Sequence, residues 1–546
     1  MRNNMKKVTF LLVETLMVLT SCNSFLEEKP KSALPEDEAY NSIPNLYINA
    51  VASIYNYIGG NTDSQGLQGT GRGVYDFNTL TTDEAIMPTR GGDWYDGGFW
   101  QRLFLHKWGE NDASLLATWE YLYKVVSLSN YYMEKVKAYQ TIHDDAILNK
   151  YLAELRAVRA IYYYYIMDMF GRVPLVTSTS ATTDSMTISD RATVYKFIVD
   201  ELQAVAPLLS TERSNQSGDY YGRITRPVVY FILAKLCLNS EIYSDNDWTD
   251  NTRYDGKDIY FTVGGNKMNA WKATQAYCDS ITSMGYKLDK KFTDCFVVNN
   301  QYSEENIFTI PMDKALYSNW FIYLFRSRHY SHGSAYGDAS ENGTSATVEA
   351  LNTFAYGTDS IDPRFKLTYY ADTVRDLNNK IIMLDDGHTP LIYRPREVAL
   401  DVTGTTYEKT CGARMKKYEV DPNANADGRL CDNDIVLFRY ADVLLMRSEA
   451  KVRNGENGDI ELNEVRSRVG AKYRKATLDN ILAERELELA WEGWRRNDLI
   501  RFGQFTRTYT DRPQLAGESD GYTTVFPIPD NILSRYSWKQ NPGYPR

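Results

Sequence analysis

The sequence predicts a mostly helical protein with a large loop-rich portion. Three observations support this: apolar residues recur at helical spacing near both ends, polar residues and glycine crowd the middle, and helix-ending signals follow the periodic stretches. The length of 546 residues, with 43% hydrophobic and 24% charged content, is that of a folded chain of several units. These values exclude a disordered chain, a collagen-like fibre and a polytopic membrane protein.

The first 21 residues have the pattern of a secretory signal. Cations precede an apolar stretch at 8–19 that is too short to span a bilayer. Residues 19–22, LTSC, resemble a bacterial lipobox, which predicts that Cys22 becomes the lipidated first residue of the mature chain. We therefore expect a lipoprotein of the cell outer membrane, with the polar segment 22–42 as its tether.

Residues 43–244 are predicted to form an N-terminal helical region. Its clearest element is a helix at 147–169, which Gly171 and Pro174 should end. Pro227 suits the first turn of a later helix. Further helices are predicted at 119–136, 193–209, 227–243 and, beyond this region, 271–284.

Residues 245–430 are predicted to be loop-rich, with a few short strands. Gly, Asn, Asp, Ser and Thr crowd together there, and the apolar run 307–310 is a strand candidate. Helical periodicity returns in a C-terminal region at 431–546, which ends in an extended tail. The helices predicted in this last region lie at 435–454, 461–469 and 478–502.

Short motifs spread along nearly the whole chain carry a family resemblance. They are LRAVRAIYY at 155–163, FGRVPL at 170–175, DPRF at 362–365, RYADVLLM at 439–446, LNEVR at 462–466, ERELELA at 484–490, PIP at 527–529 and QNPGY at 540–544. Together, and in this order, they resemble the SusD/RagB family of outer-membrane nutrient-binding lipoproteins. Glu486 and Phe502 depart from the family pattern, which has Arg and Trp at these places.

The resemblance implies a right-handed superhelix of tetratricopeptide-like helix pairs with an irregular loop-rich half packed on it. It also implies a surface protein that binds a nutrient, usually an oligosaccharide, and acts as a lid on a SusC-like TonB-dependent transporter. Arg485 is expected to pair with Glu488 and Glu492 along one helix face and so to join helix to helix. The motifs identify the family without marking the binding site.

The best candidate for a binding site is the loop at 89–100, TRGGDWYDGGFW. Glycines on both sides of its central aromatic pair argue against a helix or a central strand, and binding residues concentrate on loops. A pyranose ring offers an apolar face that stacks on aromatic rings, and hydroxyl groups that bond to carboxylate or guanidinium groups. The alternative is that Trp94 or Trp100 plugs the loop onto the helical half. The candidate ligand contacts are Trp94, Tyr95, Trp100, Asp93, Asp96 and Arg90.

A second aromatic run, at 317–330, is an alternative part of the binding site. Tyr317 and Trp320 are its candidate ligand contacts. The alternation of aromatic side chains also suits a half-buried strand, so core packing is the competing interpretation. His329 and His332 have a spacing compatible with a metal site, but histidines in a Ser/Gly loop are expected to be solvated.

The sequence favours a binding protein over an enzyme. The HExxH, GxSxG, P-loop and Rossmann fingerprints are absent, and a net charge of −10 disfavours nucleic acid as a partner. No cofactor is expected, although the segment 423–434 loosely imitates a calcium-binding loop. The alternatives are a surface glycoside hydrolase, because acidic pairs abound, and a peptide-binding member of the same family.

The remaining cysteines are expected to be buried free thiols. Their odd number excludes a complete disulfide framework, although the pairs Cys278/Cys295 and Cys411/Cys431 stay open. No CxxC motif is present. The five are Cys237, Cys278, Cys295, Cys411 and Cys431.

Overall fold

The protein is mostly helical, as predicted, with an irregular portion that contains short strands. A computed structural model describes residues 35–60, 66–68, 71–182, 185–250, 252–316, 326–425, 428 and 430–545. The predicted signal sequence, Cys22 and most of the predicted tether lie outside the described residues. The division of the chain at 244 and 430 stays a prediction.

Helices form much of the N-terminal region. A π-helical turn, Tyr47–Ala52, joins the second helix to the third. The longest helices pack on each other in succession, α6 on α7 and α7 on α8. In chain order the helices are α1 (Glu36–Ala39), α2 (Ile43–Leu46), α3 (Ser53–Gly59), α4 (Val74–Thr79), α5 (Phe99–Phe104), α6 (Ala113–Gln140), α7 (Ala146–Phe170), α8 (Arg191–Val205), α9 (Arg226–Leu238) and α10 (Ser240–Tyr243).

Helix α7 confirms the helix predicted at 147–169. The Asp145 carboxylate caps its first turn by accepting the backbone N–H of Ile147 over 2.9 Å. Gly171 ends it with a left-handed φ of 66°. Four consecutive residues of a helix lie on different sides of it. The tyrosines at 162–165 are all buried, so α7 is packed on all sides along this stretch.

The remaining helices lie in the loop-rich region and in the C-terminal region. Helix α11 packs on α9 and on α15, so helices of the N-terminal and C-terminal regions belong to one helical assembly. These helices are α11 (Ala270–Ser283), α12 (Tyr330–Tyr336), α13 (Val348–Thr353), α14 (Phe365–Thr368), α15 (Tyr440–Arg453), α16 (Asp459–Arg468), α17 (Leu478–Leu489), α18 (Arg495–Arg501) and α19 (Asp530–Leu533).

The strands are short and pair two by two in antiparallel fashion. They are β1 (Ala85–Ile86), β2 (Val173–Pro174), β3 (Ile188–Ser189), β4 (Tyr260–Val263), β5 (Asn266–Asn269), β6 (Asn306–Ile310), β7 (Ser345–Ala346), β8 (Tyr369–Tyr370), β9 (Asp372–Thr373), β10 (Ile392–Tyr393), β11 (Arg414–Met415) and β12 (Ile435–Arg439). The pairs β1–β7 and β6–β12 connect the loop-rich region to the N-terminal and C-terminal regions. Strand β6 confirms the strand predicted at 307–310.

Two of the predicted C-terminal helices are wrong in part. Residues 435–439 form β12, because a fully buried strand shows the same continuous apolar run as a buried helix. The helix predicted at 478–502 stops at Leu489 and resumes as α18. Trp491 and Gly493 between them have φ values of 68° and 74°, which a right-handed helix cannot contain.

A buried ion network joins α17 to β12. The Arg439 guanidinium lies 2.6 Å from the carboxylate of Glu488 and 2.7 Å from that of Glu492, and all three side chains are buried. Arg364 adds a third contact to the network, with Glu488 at 2.9 Å. A buried charge is tolerated only when it is paired and hydrogen-bonded, which this network achieves.

The expected pairing of Arg485 along its own helix is wrong. Its guanidinium lies 2.8 Å from Asp442 of α15 and 2.8 Å from Asp498 of α18. Since both partners lie on other helices, the expectation that these charges join helix to helix is confirmed. The partners are different because Glu488 and Glu492 are already paired with Arg439.

The five cysteines at 237, 278, 295, 411 and 431 are buried free thiols, as expected. Neither of the two pairs that the sequence left open is bonded. Within the described part of the chain, no helix combines the length and the apolar content needed to cross a membrane.

Candidate functional site

The loop at 89–100 has an unusual backbone. Trp94 and Asp96 have φ values of 62° and 45°, a left-handed conformation that is uncommon for residues with a side chain. Gly97 and Gly98 follow with 62° and 78°. The backbones of Arg90 and Asp93 close the turn with two reciprocal hydrogen bonds of 3.0 and 3.1 Å. Such strain persists only where the surroundings hold the loop in place.

Arg90 helps to hold the loop in this conformation and is not placed for ligand contact. Its side chain is 3% exposed and donates to the carbonyl of Glu408 over 2.8 Å, to Ser345 over 2.9 Å and to the Cys411 sulfur over 2.7 Å. Burial lowers the pKa of Arg90. The expectation of a ligand-binding arginine is thus corrected: Arg90 anchors the loop to the loop-rich region.

Trp100 is likewise a packing residue rather than a surface platform. It is the second residue of α5, is 3% exposed, and donates its indole N–H to Asp96 over 2.6 Å. Asp96 also pairs with Arg72 at 2.7 Å. For Trp100 the structure therefore selects the alternative in which the ring plugs the loop onto the helical part.

Trp94 lies between core and surface. Its indole N–H donates to the carbonyl of Glu341 over 2.9 Å, and its ring is 5.9 Å from that of Trp100 in an edge-to-face arrangement. A Cβ atom at Gly343 would lie 2.9 Å from the Trp94 ring, so the absence of a side chain there makes room for the indole. Trp94 is half-buried, so ligand contact by this residue stays a prediction.

Tyr95 and Asp93 form the outer surface of the loop. Tyr95 is 54% exposed. Asp93 is also exposed and accepts the hydroxyl of Tyr330 over 2.9 Å. Burial, reinforced by this bond to Asp93, raises the pKa of Tyr330 to about 12. Trp94, Tyr95, Asp93 and Tyr330 thus make one partly exposed aromatic and acidic surface, which we call the loop surface.

Helix α12 connects the loop surface to a cleft in the loop-rich region. The helix begins at Tyr330, and Tyr336 at its other end lines an open cleft of about 760 Å³. Seven residues of helix span about 10 Å, so the two surfaces are neighbours. Tyr356 also lines the cleft and donates its hydroxyl to Asp372 over 2.7 Å. The sequence did not single out Tyr336 and Tyr356, because only tertiary contacts bring them together.

His329 and His332 are buried, which corrects the expectation of solvated histidines. A nitrogen of His332 lies 2.9 Å from the hydroxyl of Tyr393. Burial, with Arg414 nearby, lowers the pKa of His329 to about 4. The same cause lowers the pKa of His332, so both rings are neutral packing groups near neutral pH.

The other candidate ligand groups are only partly described. Tyr317 and Trp320 lie outside the described residues. In the segment 423–434, which imitates a calcium loop, the Asp434 carboxylate already accepts the hydroxyl of Tyr221 and the backbone N–H of Met312, over 2.7 and 2.9 Å. Burial raises the pKa of Asp434 to about 6, which disfavours a charged ligand group there.

Within the part of the chain that the structure describes, one cluster has a spacing that could hold a metal ion. It consists of Asp289, Cys295 and Glu305, whose ligand atoms lie within 4.8 Å of one another. Glu305 is already paired with Arg439 at 2.8 Å, and with Arg468. A dication in this place would have to displace or repel these two guanidinium groups, so the donor set does not suit a metal.

Two family models match the chain. The model of the SusD family matches residues 244–544, and one described as starch-binding associating with outer membrane matches residues 24–238. Among curated proteins, the starch-binding protein SusD of Bacteroides thetaiotaomicron is 24% identical over 88% of this chain and 87% of its own length. A SusD-like protein of Bacteroides ovatus is 23% identical over 92% of this chain and 84% of its own length.

Solved structures share the fold. A laminarin-binding SusD-like protein superposes with a TM-score of 0.68 at 20% identity, covering 92% of this chain and 100% of that protein. Surface glycan-binding protein A from Bacteroides thetaiotaomicron, solved in complex with laminarihexaose, has a TM-score of 0.68 at 20% identity and covers 90% of this chain and 98% of that one. The matched motifs, the helical fold and the family models agree, and the chain belongs to the SusD family.

Proposed function

We propose that the protein is a cell-surface outer-membrane lipoprotein that binds an oligosaccharide without cleaving it and delivers it to a SusC-like TonB-dependent transporter. The observation that carries this proposal is the loop surface, where the exposed ring of Tyr95 and the half-buried ring of Trp94 lie beside Asp93. Aromatic faces next to polar acceptors are the groups that sugar recognition requires. The names of relatives, which mention starch, laminarin and glycan, support a sugar over a peptide.

The loop surface is organised before any ligand binds. Arg90 fixes the base of the loop through buried hydrogen bonds, and Tyr330 fixes the Asp93 carboxylate. A rigid site avoids the free-energy cost of ordering on binding. Because α12 leads from Tyr330 to the cleft, a sugar chain held at the loop surface has a neighbouring groove into which it can extend.

Binding without cleavage is supported by the engagement of the loop carboxylates. Asp93 accepts the Tyr330 hydroxyl, and Asp96 is held by Trp100 and Arg72. These contacts fix the two carboxylates as acceptors within the loop. Incubation of the purified protein with a glycan that it binds should release no reducing ends, and stoichiometric release would contradict a purely binding role.

The experiment that tests the sugar ligand is affinity electrophoresis in gels that contain laminarin or starch. We expect the protein to be retarded in at least one gel, and Tyr95→Ala to lose most of that retardation. Tyr302→Ala is the matched control, because Tyr302 is 74% exposed and lies away from the loop sequence, next to β6. Equal retardation of all three proteins would reject the loop surface as the binding site.

Delivery to a transporter is tested in the native membrane. Pull-down of the protein from an outer-membrane extract in mild detergent should recover a large TonB-dependent barrel. Recovery of the intact lipoprotein alone would count against this part of the proposal.

A further inference from the structure

A groove in the helical part is a prominent feature that the proposed function does not use. It has two adjoining parts, of about 370 and about 570 Å³, which share Asn130 and Ser178 in their walls. Helix α6 forms one wall of both parts. The C-terminal segment 532–538 closes the end of the smaller part. None of the residues of the loop surface lines this groove.

The smaller part of the groove has an aromatic floor. The rings of Tyr536 and Trp538 stack in parallel, with centroids 4.0 Å apart and planes within 5°. Both are half-buried, and the indole N–H of Trp538 donates to the carbonyl of Met186 over 3.2 Å. Tyr123 on the opposite wall donates its hydroxyl to the carbonyl of Pro174 over 2.8 Å. Because these contacts fix the rings, the floor exists before a ligand arrives.

The lining of the larger part of the groove combines charged and amide side chains with apolar ones, and none of the described residues in it is aromatic. Arg156 lies in its wall, held by the Glu201 carboxylate through contacts of 3.1 and 2.6 Å. Lys137 projects from the exposed face of α6 beside it. Among the described residues, neither the Lys137 side chain nor the Ser127 hydroxyl in the smaller part has a hydrogen-bond partner. The groove therefore offers free donors along its length.

We propose that this groove is a second oligosaccharide-binding site, separate from the loop surface. One sugar ring stacks its apolar face on the Tyr536–Trp538 floor, and the chain continues past Asn130 so that the hydroxyl groups of the next unit meet Lys137 and Arg156. An acyl chain fits less well, because its far end would desolvate Lys137 and Arg156 in the larger part without forming any hydrogen bond to them. The ligand class is therefore an oligosaccharide of two or more units.

The test uses the full mature chain, titrated calorimetrically with laminarihexaose and with maltohexaose. Ser127→Trp fills the groove from an exposed position of α6, and Ser127 makes none of the hydrogen bonds described above. Ala117→Trp is its matched control, since Ala117 is equally exposed on the same helix and does not line the groove. Tyr536→Ala removes one of the two stacked rings of the floor.

We expect two sites for one of these hexaoses in the unmodified protein. Ser127→Trp and Tyr536→Ala should each weaken the same site by at least roughly tenfold, as the loss of an aromatic anchor does, and Ala117→Trp should weaken neither. Two sites that Ser127→Trp leaves unchanged, a single site that only Tyr95→Ala weakens, or no binding of either hexaose would overturn the groove site. A single site that only Ser127→Trp weakens would support the groove and reject the loop surface, so the two proposals fail separately.

Discussion

The indole N–H of Trp94 donates a hydrogen bond to the carbonyl of Glu341 over 2.9 Å, a residue 247 positions further along the chain. This bond makes the ring part of the junction between the loop and the loop-rich region. Its neighbour Tyr95 has 54% of its surface exposed. The two adjacent aromatic residues therefore differ in what their removal should do.

Trp94→Ala should lower both stability and glycan affinity, whereas Tyr95→Ala should lower affinity alone. Removal of a half-buried indole costs about 2 kcal/mol, roughly half the range for a fully buried one. Truncation of the exposed tyrosine should change the free energy of unfolding by about 0.5 kcal/mol or less and weaken binding at least tenfold. Urea unfolding and calorimetric titration of both variants check this. An unchanged unfolding midpoint for Trp94→Ala would show that its buried contacts contribute nothing.

Glu488→Gln should destabilise the protein strongly. The carboxylate is buried and faces the guanidinium groups of Arg439 and Arg364 at 2.6 and 2.9 Å. Removing one partner of a buried ion pair leaves uncompensated charge and costs about 3–5 kcal/mol. The control is Asp200→Asn, which breaks an exposed pair with Lys196 at 2.5 Å and should cost less than about 1 kcal/mol. Similar urea midpoints for the two variants would contradict the role assigned to the network.

Glu486 should make stability fall as pH rises from about 4.5 to about 8. Burial raises its pKa to about 8 from 4.5. The negative charges of Asp83 and Glu84 add to the rise, whereas Arg495 at 2.9 Å opposes it. The folded protein therefore holds this proton more tightly than the unfolded chain does. The stabilisation is complete below about pH 4.5 and is lost as pH rises to about 8.

The measurement for Glu486 is a series of melting temperatures for the unmodified protein and for Glu486→Gln. At about pH 5 the two should be close, because a protonated carboxyl resembles an amide. At about pH 9 the melting temperature of the variant should be higher, relative to that of the unmodified protein, than it is at about pH 5. A constant difference across this range would mean that Glu486 does not titrate within it.

The five described cysteines should be inert in the folded state. All are buried free thiols, and burial raises the pKa of Cys278 and Cys431, the latter to about 12. A thiol reagent should modify none of the five before unfolding and all of them in concentrated urea. Rapid reaction of even one thiol in the native protein would show an opening that the structure does not contain.

Cys22→Ala should release the protein from the outer membrane. The residue ends the lipobox-like LTSC sequence, which predicts lipidation at this position. Without acylation the chain should move from the detergent phase to the aqueous phase in a phase-partition assay. Continued partition of the variant into detergent would reject a lipid anchor at this position.

The sequence by itself determined the helical part and the family. Helix α7 was predictable because its periodic apolar residues, its cap at Asp145 and its stop at Gly171 all lie within one short stretch. The family motifs are equally local. The prediction of a helix over 435–439 was wrong because that prediction also used only the local pattern. A short buried strand and a buried helix look alike along the chain, and only pairing with β6 distinguishes them.

The roles of the loop residues were decided only by the tertiary structure. Arg90 and Trp100 looked like ligand contacts in the glycine-rich loop, yet Arg90 bonds to Glu408, 318 residues away, and both side chains are buried. Tyr330, which completes the loop surface, comes from 237 residues beyond Asp93. Whether an arginine or an aromatic ring meets solvent depends on which distant segments cover it, and that burial is fixed by packing between parts of the chain that share no local pattern.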